Sequence, residues 1–276
     1  MPRPLSSSAF TATSPSGNTT MNSPADATPD KPALVFLRGL IRSRFHWGTF
    51  PRRFDKDFQV IEPELPGNGY LYRDTTPGSI PAMMEAVRAQ VRTTTTAPVI
   101  IIAVSMGAMI ATEWARRYPQ EIRQLHLVNT SLANLSLPWQ RMKALSFLRL
   151  ISTTGSRLRL EQTILKLTMS RPLGMAEKEL WLDFAEAHPL RWRNIFVQLI
   201  ASSGYQGPRE APVENIVMYN ASGDQLVKPG CTMAIARQWK KPLITHPDAG
   251  HDLPMDDPQW LEEKIRGNFL RDLLKD

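Results

Sequence analysis

Short apolar runs alternate with longer amphipathic stretches along most of the chain. The runs are rich in Val, Ile and Leu and end at Gly, Pro or polar residues, a pattern typical of buried strands. They predict strands at residues 33–37, 58–62, 99–103, 125–129, 216–221 and 243–246. The intervening stretches have apolar residues at helical spacing and predict helices at residues 80–92, 106–118, 231–239 and 258–274. Alternating strands and helices indicate an α/β fold with a mostly parallel, doubly wound sheet.

One long segment interrupts this alternation. Between residues 137 and 209 the periodicity is helical only, and it predicts helices at 139–151, 157–169, 176–187 and 191–202. An all-helical segment inserted into such an alternation is most simply a cap over the carboxyl edge of the sheet. We therefore predict a core from residues 31–136 and 210–276 and a helical cap at 137–209. Residues 1–30 are rich in Ser, Thr, Pro and Ala, which predicts a disordered tail.

Ser105 follows the third predicted strand and precedes a helix. The surrounding segment, Ala-Val-Ser-Met-Gly at residues 103–107, matches the G-x-S-x-G nucleophile elbow with Ala103 in place of the first glycine. Small residues are needed there because the turn is tight and the serine backbone is strained. The alternative is an ordinary strand-to-helix turn with a serine cap. We predict that Ser105 is a nucleophile.

A serine nucleophile needs a base, and His251 follows the last predicted strand, at the sheet edge where ligands gather. Asp224 follows the fifth strand and is predicted to orient His251 and to stabilise its charged form. Asp252 and Glu113 are possible substitutes, and Asp224 could instead be a plain turn residue. The order Ser, Asp, His along the chain differs from that of other common serine hydrolases.

Acyl transfer also requires two N–H donors for the oxyanion of the tetrahedral intermediate. Met106 offers one at the start of a helix. The loop after the first strand is expected to offer the other through Leu40. Arg38, His46 and Trp47 lie in or near the same loop and are candidate pocket residues.

At these positions the chain resembles the α/β-hydrolase superfamily over about residues 33–273. The resemblance rests on five segments, at residues 38–39, 65–69, 103–107, 223–227 and 250–254. Within the superfamily the chain is similar to capped carboxylesterases of the pimeloyl-carrier-protein methyl ester esterase type. Two residues depart from the usual pattern. Arg38 stands where a His is usual before the oxyanion glycine, and Glu64 stands where an Asp is usual.

The formal net charge is +7, and most of it lies in the predicted cap. Residues 138–209 contain 11 Lys or Arg and five Asp or Glu. This charge could dock an acidic carrier protein or attract an anionic acyl substrate, or it could be the solvated face of amphipathic helices. No basic run or motif indicates nucleic-acid binding, and no apolar run is long enough to span a membrane. The single cysteine fits a reducing compartment, so we expect a cytoplasmic protein.

These features predict a serine esterase that cleaves a small-molecule carboxylic ester or thioester through an acyl-enzyme. The mechanism requires no metal or organic cofactor. An acyltransferase, a cofactor-free haloperoxidase or a C–C hydrolase could use the same three residues. A non-catalytic binding protein could keep the same fold.

Overall fold

The computed structural model describes residues 31–153 and 156–273, and the predicted tail at residues 1–30 lies outside them. Its strands are β1 (Ala33–Leu37), β2 (Gln59–Ile61), β3 (Val99–Val104), β4 (Ile122–Val128), β5 (Ile216–Ala221) and β6 (Leu243–His246). Within the described residues they form one sheet in the order β2-β1-β3-β4-β5-β6. Every pair of neighbouring strands is parallel. The predicted α/β fold with a parallel sheet is confirmed.

Helices cover both faces of this sheet. In chain order they are α1 (Ile80–Arg92), α2 (Met106–Arg117), α3 (Pro138–Arg141), α4 (Ala144–Ile151), α5 (Arg157–Thr168), α6 (Met175–Ala187), α7 (Trp192–Gly204), α8 (Gly230–Trp239), α9 (Leu253–Asp256) and α10 (Pro258–Leu273). Side chains alternate between the two faces of a strand. Val35 and Ile101 therefore pack against α1, α2 and α8, whereas Phe36 and Ile102 pack against α10 and the segment after β1. Among the described residues, no helix is long and apolar enough to cross a membrane.

Between β4 and β5 the described residues form helices α3 to α7, which we call the helical insertion (residues 138–204). The prediction of one helix at residues 139–151 is wrong, because the chain breaks at Met142 and Lys143 between α3 and α4. There the Lys143 N–H donates to the Leu226 carbonyl at 3.0 Å, and its Nζ donates to the Asp224 carbonyl at 2.5 Å. The chain leaves the helical path to bind the loop after β5, a contact that local periodicity does not encode. The domain boundaries at 137 and 209 stay a prediction.

Buried polar contacts attach the helical insertion to the loop after β1. Arg42 pairs with Glu161 of α5 at 2.5 Å, and their side chains are only 6% and 7% exposed. Gln198 of α7 is fully buried and accepts a hydrogen bond from the Ile41 N–H at 2.8 Å. Because a buried charge left without its partner is strongly unfavourable, the ion pair fixes α5 over this loop.

Replacing Glu161 by Gln leaves the buried Arg42 without a counter-ion. We expect Glu161→Gln to lower the free energy of unfolding by about 3–5 kcal/mol, the usual cost when a buried pair loses one partner. Chemical denaturation followed by tryptophan fluorescence measures this loss. The control Glu179→Gln changes an exposed carboxylate of α6 and should cost less than about 0.5 kcal/mol. Equal effects of the two substitutions would contradict the prediction.

Candidate active site

Ser105 lies at the turn between β3 and α2 in a strained conformation. Its φ and ψ are 57° and −118°, a region that residues with a side chain rarely occupy. Gly107 explains why the turn can be this tight. A Cβ at Gly107 would lie 2.4 Å from the Leu37 carbonyl oxygen and 2.6 Å from that of Arg38. Only glycine lets α2 begin this close to the end of β1, so the turn has the geometry expected of a nucleophile elbow.

Asp224 and His251 form a buried pair after β5 and β6. Asp224 Oδ2 lies 2.7 Å from His251 Nδ1, and the two side chains are 2% and 6% exposed. The other carboxylate oxygen, Oδ1, accepts from the N–H groups of Leu226 and Val227 at 2.8 and 2.9 Å. A carboxylate held in this way accepts the Nδ1 proton and leaves Nε2 as the ring nitrogen that can exchange a proton.

The end of β4 connects Ser105 to the segment of His251. The Ser105 N–H donates to the Val128 carbonyl, and Thr130 Oγ1 donates to the Ser105 carbonyl, both at 2.9 Å. Asn129, which lies between Val128 and Thr130 in the chain, donates from Nδ2 to the carbonyls of Gly250 and His251 at 3.2 and 2.8 Å. Three consecutive residues therefore hold both segments at one edge of the sheet. Sequence reasoning missed Asn129, although it is a polar residue at the end of a predicted strand, at the sheet edge where ligands gather.

Ser105 and His251 are brought to the same edge but are not hydrogen-bonded to each other. Among the hydrogen bonds of the described residues, His251 uses Nδ1 for Asp224, and none joins Nε2 to Ser105 Oγ. Bonds of this kind are often long in a free enzyme and shorten when substrate binds. The catalytic roles of the three residues therefore stay a prediction.

The loop after β1 lies directly against Ser105. A Cβ at Gly39 would be 3.1 Å from Ser105 Cβ, so a side chain there would press against the serine. Ile41 has a φ of 56°, and its N–H is occupied by Gln198. The N–H groups of Leu40 and Met106 take part in no hydrogen bond among the described residues. These two groups, predicted to be the oxyanion donors, are thus available beside the serine.

Arg38 connects this loop to the residue after His251. Its guanidinium forms two hydrogen bonds with Asp252, at 2.9 and 2.6 Å, and both side chains are buried. Asp252 is therefore turned away from the imidazole and occupied. Trp47, a predicted pocket residue, is fully buried beneath Arg38, with the guanidinium carbon 4.7 Å from its ring centre. The Arg that replaces the usual His thus forms an ion pair across the site.

The helical insertion also contacts the segment of His251. The Asp252 N–H donates to the Thr168 carbonyl at 2.7 Å, at the end of α5. Asp256 accepts from the N–H groups of Gly250 at 2.5 Å and of Ser170 at 3.0 Å. The position of His251 therefore depends on the insertion as well as on the sheet.

Two other histidines, His126 and His246, and the second alternative acid, Glu113, have other partners. His126 is buried next to Tyr219, and burial lowers its pKa to about 3. His246 Nδ1 accepts from the Ala249 N–H at 2.9 Å. Glu113 pairs with two arginines of its own helix. Within the described residues, no three His, Cys, Asp or Glu side chains are grouped so that they could hold a metal ion.

Part of the basic charge of the insertion is used internally. Arg141 donates to the carbonyls of Ser202 and Ser203, and Arg171 donates to the Asp256 carbonyl at 3.0 Å. Lys143 is bound to the loop after β5, as described above. These cations therefore also hold loops in place. Docking of an acidic carrier protein stays a prediction.

A parallel sheet with helices on both faces and a serine elbow after a central strand defines an α/β hydrolase fold. A sequence profile described as the alpha/beta hydrolase family matches residues 34–264. The chain belongs to this family, and it is a hydrolase of that fold. No curated protein sequence matches the chain significantly.

Solved structures show the same fold. A 2-hydroxy-6-oxo-6-phenylhexa-2,4-dienoate hydrolase from Rhodococcus superposes with a TM-score of 0.71 at 16% identity, covering 87% of this chain and 90% of that one. A thermophilic esterase from Thermogutta terrifontis gives 0.66 at 18% identity, with 88% and 90% covered. A lipase-esterase related protein from Clostridium acetobutylicum gives 0.66 at 13% identity, with 87% and 95% covered. At these identities the likeness concerns the fold alone.

Adding a methyl group at Gly107 tests the tight elbow. Because the nearest atoms are backbone carbonyl oxygens, we expect Gly107→Ala to lower the free energy of unfolding by about 1–3 kcal/mol. Thermal denaturation measures the change. The matched control is Gly267→Ala in α10, where a Cβ meets nothing within 4 Å and helix propensity favours Ala by about 1 kcal/mol. A Gly107→Ala variant as stable as the Gly267→Ala variant would refute the close approach.

Glu64, which stands where an Asp is usual, should make the free energy of unfolding depend on pH. Burial raises its pKa from 4.5 to about 7, although Ser43 Oγ donates to it at 2.8 Å. The folded state therefore binds the proton more tightly, and stability falls as pH rises from about 4.5 to 7 and then levels off. Glu64→Gln should remove up to about 3 kcal/mol of this pH dependence. Denaturation curves between pH 4.5 and 8 measure it.

The control Glu263→Gln, an exposed position in α10, should keep the pH dependence of the wild type. The prediction is wrong if Glu64→Gln and wild type lose stability in parallel over this range.

Proposed function

We propose that the protein is a serine esterase that cleaves a carboxylic ester or thioester through an acyl-enzyme on Ser105. The observation that carries this proposal is the buried Asp224–His251 pair, at 2.7 Å, on the same sheet edge as the strained Ser105 turn. A carboxylate on Nδ1 is the arrangement that a histidine base needs in order to activate a serine hydroxyl. The esterase among the similar folds agrees with this choice.

In the first half of the reaction, His251 Nε2 takes the Ser105 proton as Oγ attacks the ester carbonyl. Asp224 holds the ring in the tautomer with the proton on Nδ1 and stabilises the imidazolium that forms. The ester C–O bond then breaks, and His251 gives its proton to the leaving alcohol. In the second half, His251 activates a water molecule, which releases the acid from Ser105.

The N–H groups of Leu40 and Met106 stabilise the oxyanion in both halves. Met106 contributes at the first residue of α2, where the helix dipole favours negative charge. Leu40 contributes from the loop that Gln198 and Arg38 hold in place. Removing one donor of this kind typically costs about 3 kcal/mol of barrier stabilisation. Both donors are backbone groups, so they need no reorganisation as charge develops.

Labelling with a fluorophosphonate probe tests the nucleophile. We expect the wild type to be labelled and Ser105→Ala to be inert, because the probe reacts with an activated serine. Asp224→Asn should lower kcat for p-nitrophenyl esters by about 10⁴-fold, because the histidine then adopts the wrong tautomer. The control Ser222→Ala, an exposed serine two residues before Asp224, should be labelled like the wild type.

Labelling that persists in Ser105→Ala would overturn the assignment of the nucleophile.

Substrate profiling separates ester hydrolysis from the other reactions open to this fold. A series of p-nitrophenyl esters of graded acyl length, assayed with and without an alcohol acceptor, distinguishes hydrolysis from acyl transfer by its products. A 2-hydroxy-6-oxo-dienoate, the substrate type named for the Rhodococcus hydrolase, tests C–C cleavage. Turnover of that compound without turnover of any ester would overturn the proposed reaction.

A further inference from the structure

The ion pair between Arg38 and Asp252 joins the two segments that carry the proposed oxyanion donor and the proposed base. Arg38 lies two residues before Leu40, in the loop after β1. Asp252 directly follows His251. Because consecutive Cα atoms are only about 3.8 Å apart, each member of the pair is anchored close to a group that acts in the proposed reaction. The pair is therefore a direct connection between the two sides of the site.

The geometry of the pair leaves little freedom between these segments. Two hydrogen bonds, at 2.9 and 2.6 Å, run from the Arg38 guanidinium to the two carboxylate oxygens of Asp252. The side chains are 5% and 4% exposed, and the ring centre of Trp47 lies 4.7 Å from the guanidinium carbon. The Asp252 N–H is also bound, by the Thr168 carbonyl at 2.7 Å. A planar guanidinium bound to both carboxylate oxygens fixes a distance and an angle, which a single point charge does not.

Other buried ion pairs do not make this connection. In the described part of the chain, two more pairs have both side chains almost fully buried, Arg42–Glu161 and Asp224–His251. The first attaches the loop after β1 to α5, and the second is the proposed acid and base themselves. Of the three, only the Arg38 pair links the loop of the oxyanion donor to the segment of the base.

Stability alone does not explain a buried ion pair at this position. Apolar residues of similar shape often stabilise a core as well as such a pair does, because the two charges must first be taken out of water. Geometry is the advantage that remains. An oxyanion donor must lie about 2.7–3.1 Å from the developing charge, and a misplacement of about 1 Å can lower the rate about 100-fold.

We propose that Arg38 and Asp252 are positioning residues for the proposed ester hydrolysis. Their pair holds the Leu40 N–H at the distance from His251 at which the donor and the base act on the same ester carbonyl. Neither side chain needs to touch the substrate, since each acts through the backbone beside it. The inference rests on the proposed function and adds a requirement to it, because the pair must be intact for the chemical step.

The test uses the variants Arg38→Gln and Asp252→Asn and the double variant that carries both. Active serines are counted by fluorophosphonate labelling, so that unfolded protein does not enter the rates. For each single variant we expect kcat per labelled serine on a p-nitrophenyl ester to fall by about 100-fold. KM should change by less than about twofold, because the pair acts on the chemical step and not on substrate binding.

Two further comparisons separate a positioning role from a general one. In the double variant no buried charge lacks its partner, so the loss of kcat should be much smaller than the product of the two single losses. Arg38→Lys keeps the charge but gives up the planar guanidinium, so its kcat should lie between those of the wild type and Arg38→Gln. Arg38→Lys also provides the measurement if Arg38→Gln does not fold.

The matched control is the pair between Arg88 of α1 and Glu121, which also has two hydrogen bonds, at 2.8 and 2.5 Å. Glu121 directly precedes β4, so this pair lies at the amino edge of the sheet, opposite the candidate site. Arg88→Gln and Glu121→Gln should lower the melting temperature and leave kcat per labelled serine unchanged.

A wild-type kcat per labelled serine in Arg38→Gln and Asp252→Asn, or in Arg38→Lys if those variants do not fold, would overturn the positioning role. A rise in KM at unchanged kcat would overturn it too, because the pair would then act in substrate binding. Single losses that simply multiply in the double variant would show that the two residues do not act as a pair. Ester hydrolysis on Ser105 stands in all three cases. If the wild type hydrolyses no ester and no serine is labelled, the proposed function itself is wrong.

Discussion

The close approach of α2 to the end of β1 is the constraint on which the rest of the site depends. Without a Cβ on Gly107, the helix starts directly against the Leu37 carbonyl and beside the loop that carries Leu40. The strand before Ser105 and the helix after it are both buried, so the serine between them is held at a φ of 57°. The close backbone packing therefore brings the Ser105 turn and the Leu40 loop together.

Buried polar side chains then fix the loops around this point. Asn129, Gln198 and the Arg38–Asp252 pair join segments that are 121 to 214 residues apart along the chain. A hydrogen bond of this kind adds only about 1 kcal/mol to stability, because the same groups bind water when the chain unfolds. Leaving one partner unpaired in the interior costs more than that. Such bonds therefore act mainly by selecting one arrangement of loops among those that the apolar core would tolerate.

The hydrophobic pattern along the sequence suffices to predict the strands and most of the helices. α1 begins and ends at the predicted residues, and Ser79 fixes its start by accepting from the Ala82 N–H. The candidate residues Ser105, Asp224 and His251 could be chosen because each follows a strand, and parallel strands end at one edge. The break between α3 and α4 and the ion pair across the site could not be predicted. Both depend on partners in distant loops, which periodicity along one segment does not register.

The unsatisfied polar atoms of the described residues are unevenly distributed. Six buried side-chain nitrogen or oxygen atoms have no partner, and four of them belong to residues 38–47, the segment that follows β1 beside Ser105. A fold that only had to be stable would avoid this concentration, since each unpaired group is unfavourable. A site prepared for a ligand has a reason to keep it, because donors oriented before binding need not reorganise during the reaction. Most of these unpaired atoms thus lie in the segment whose Gly39 packs against Ser105.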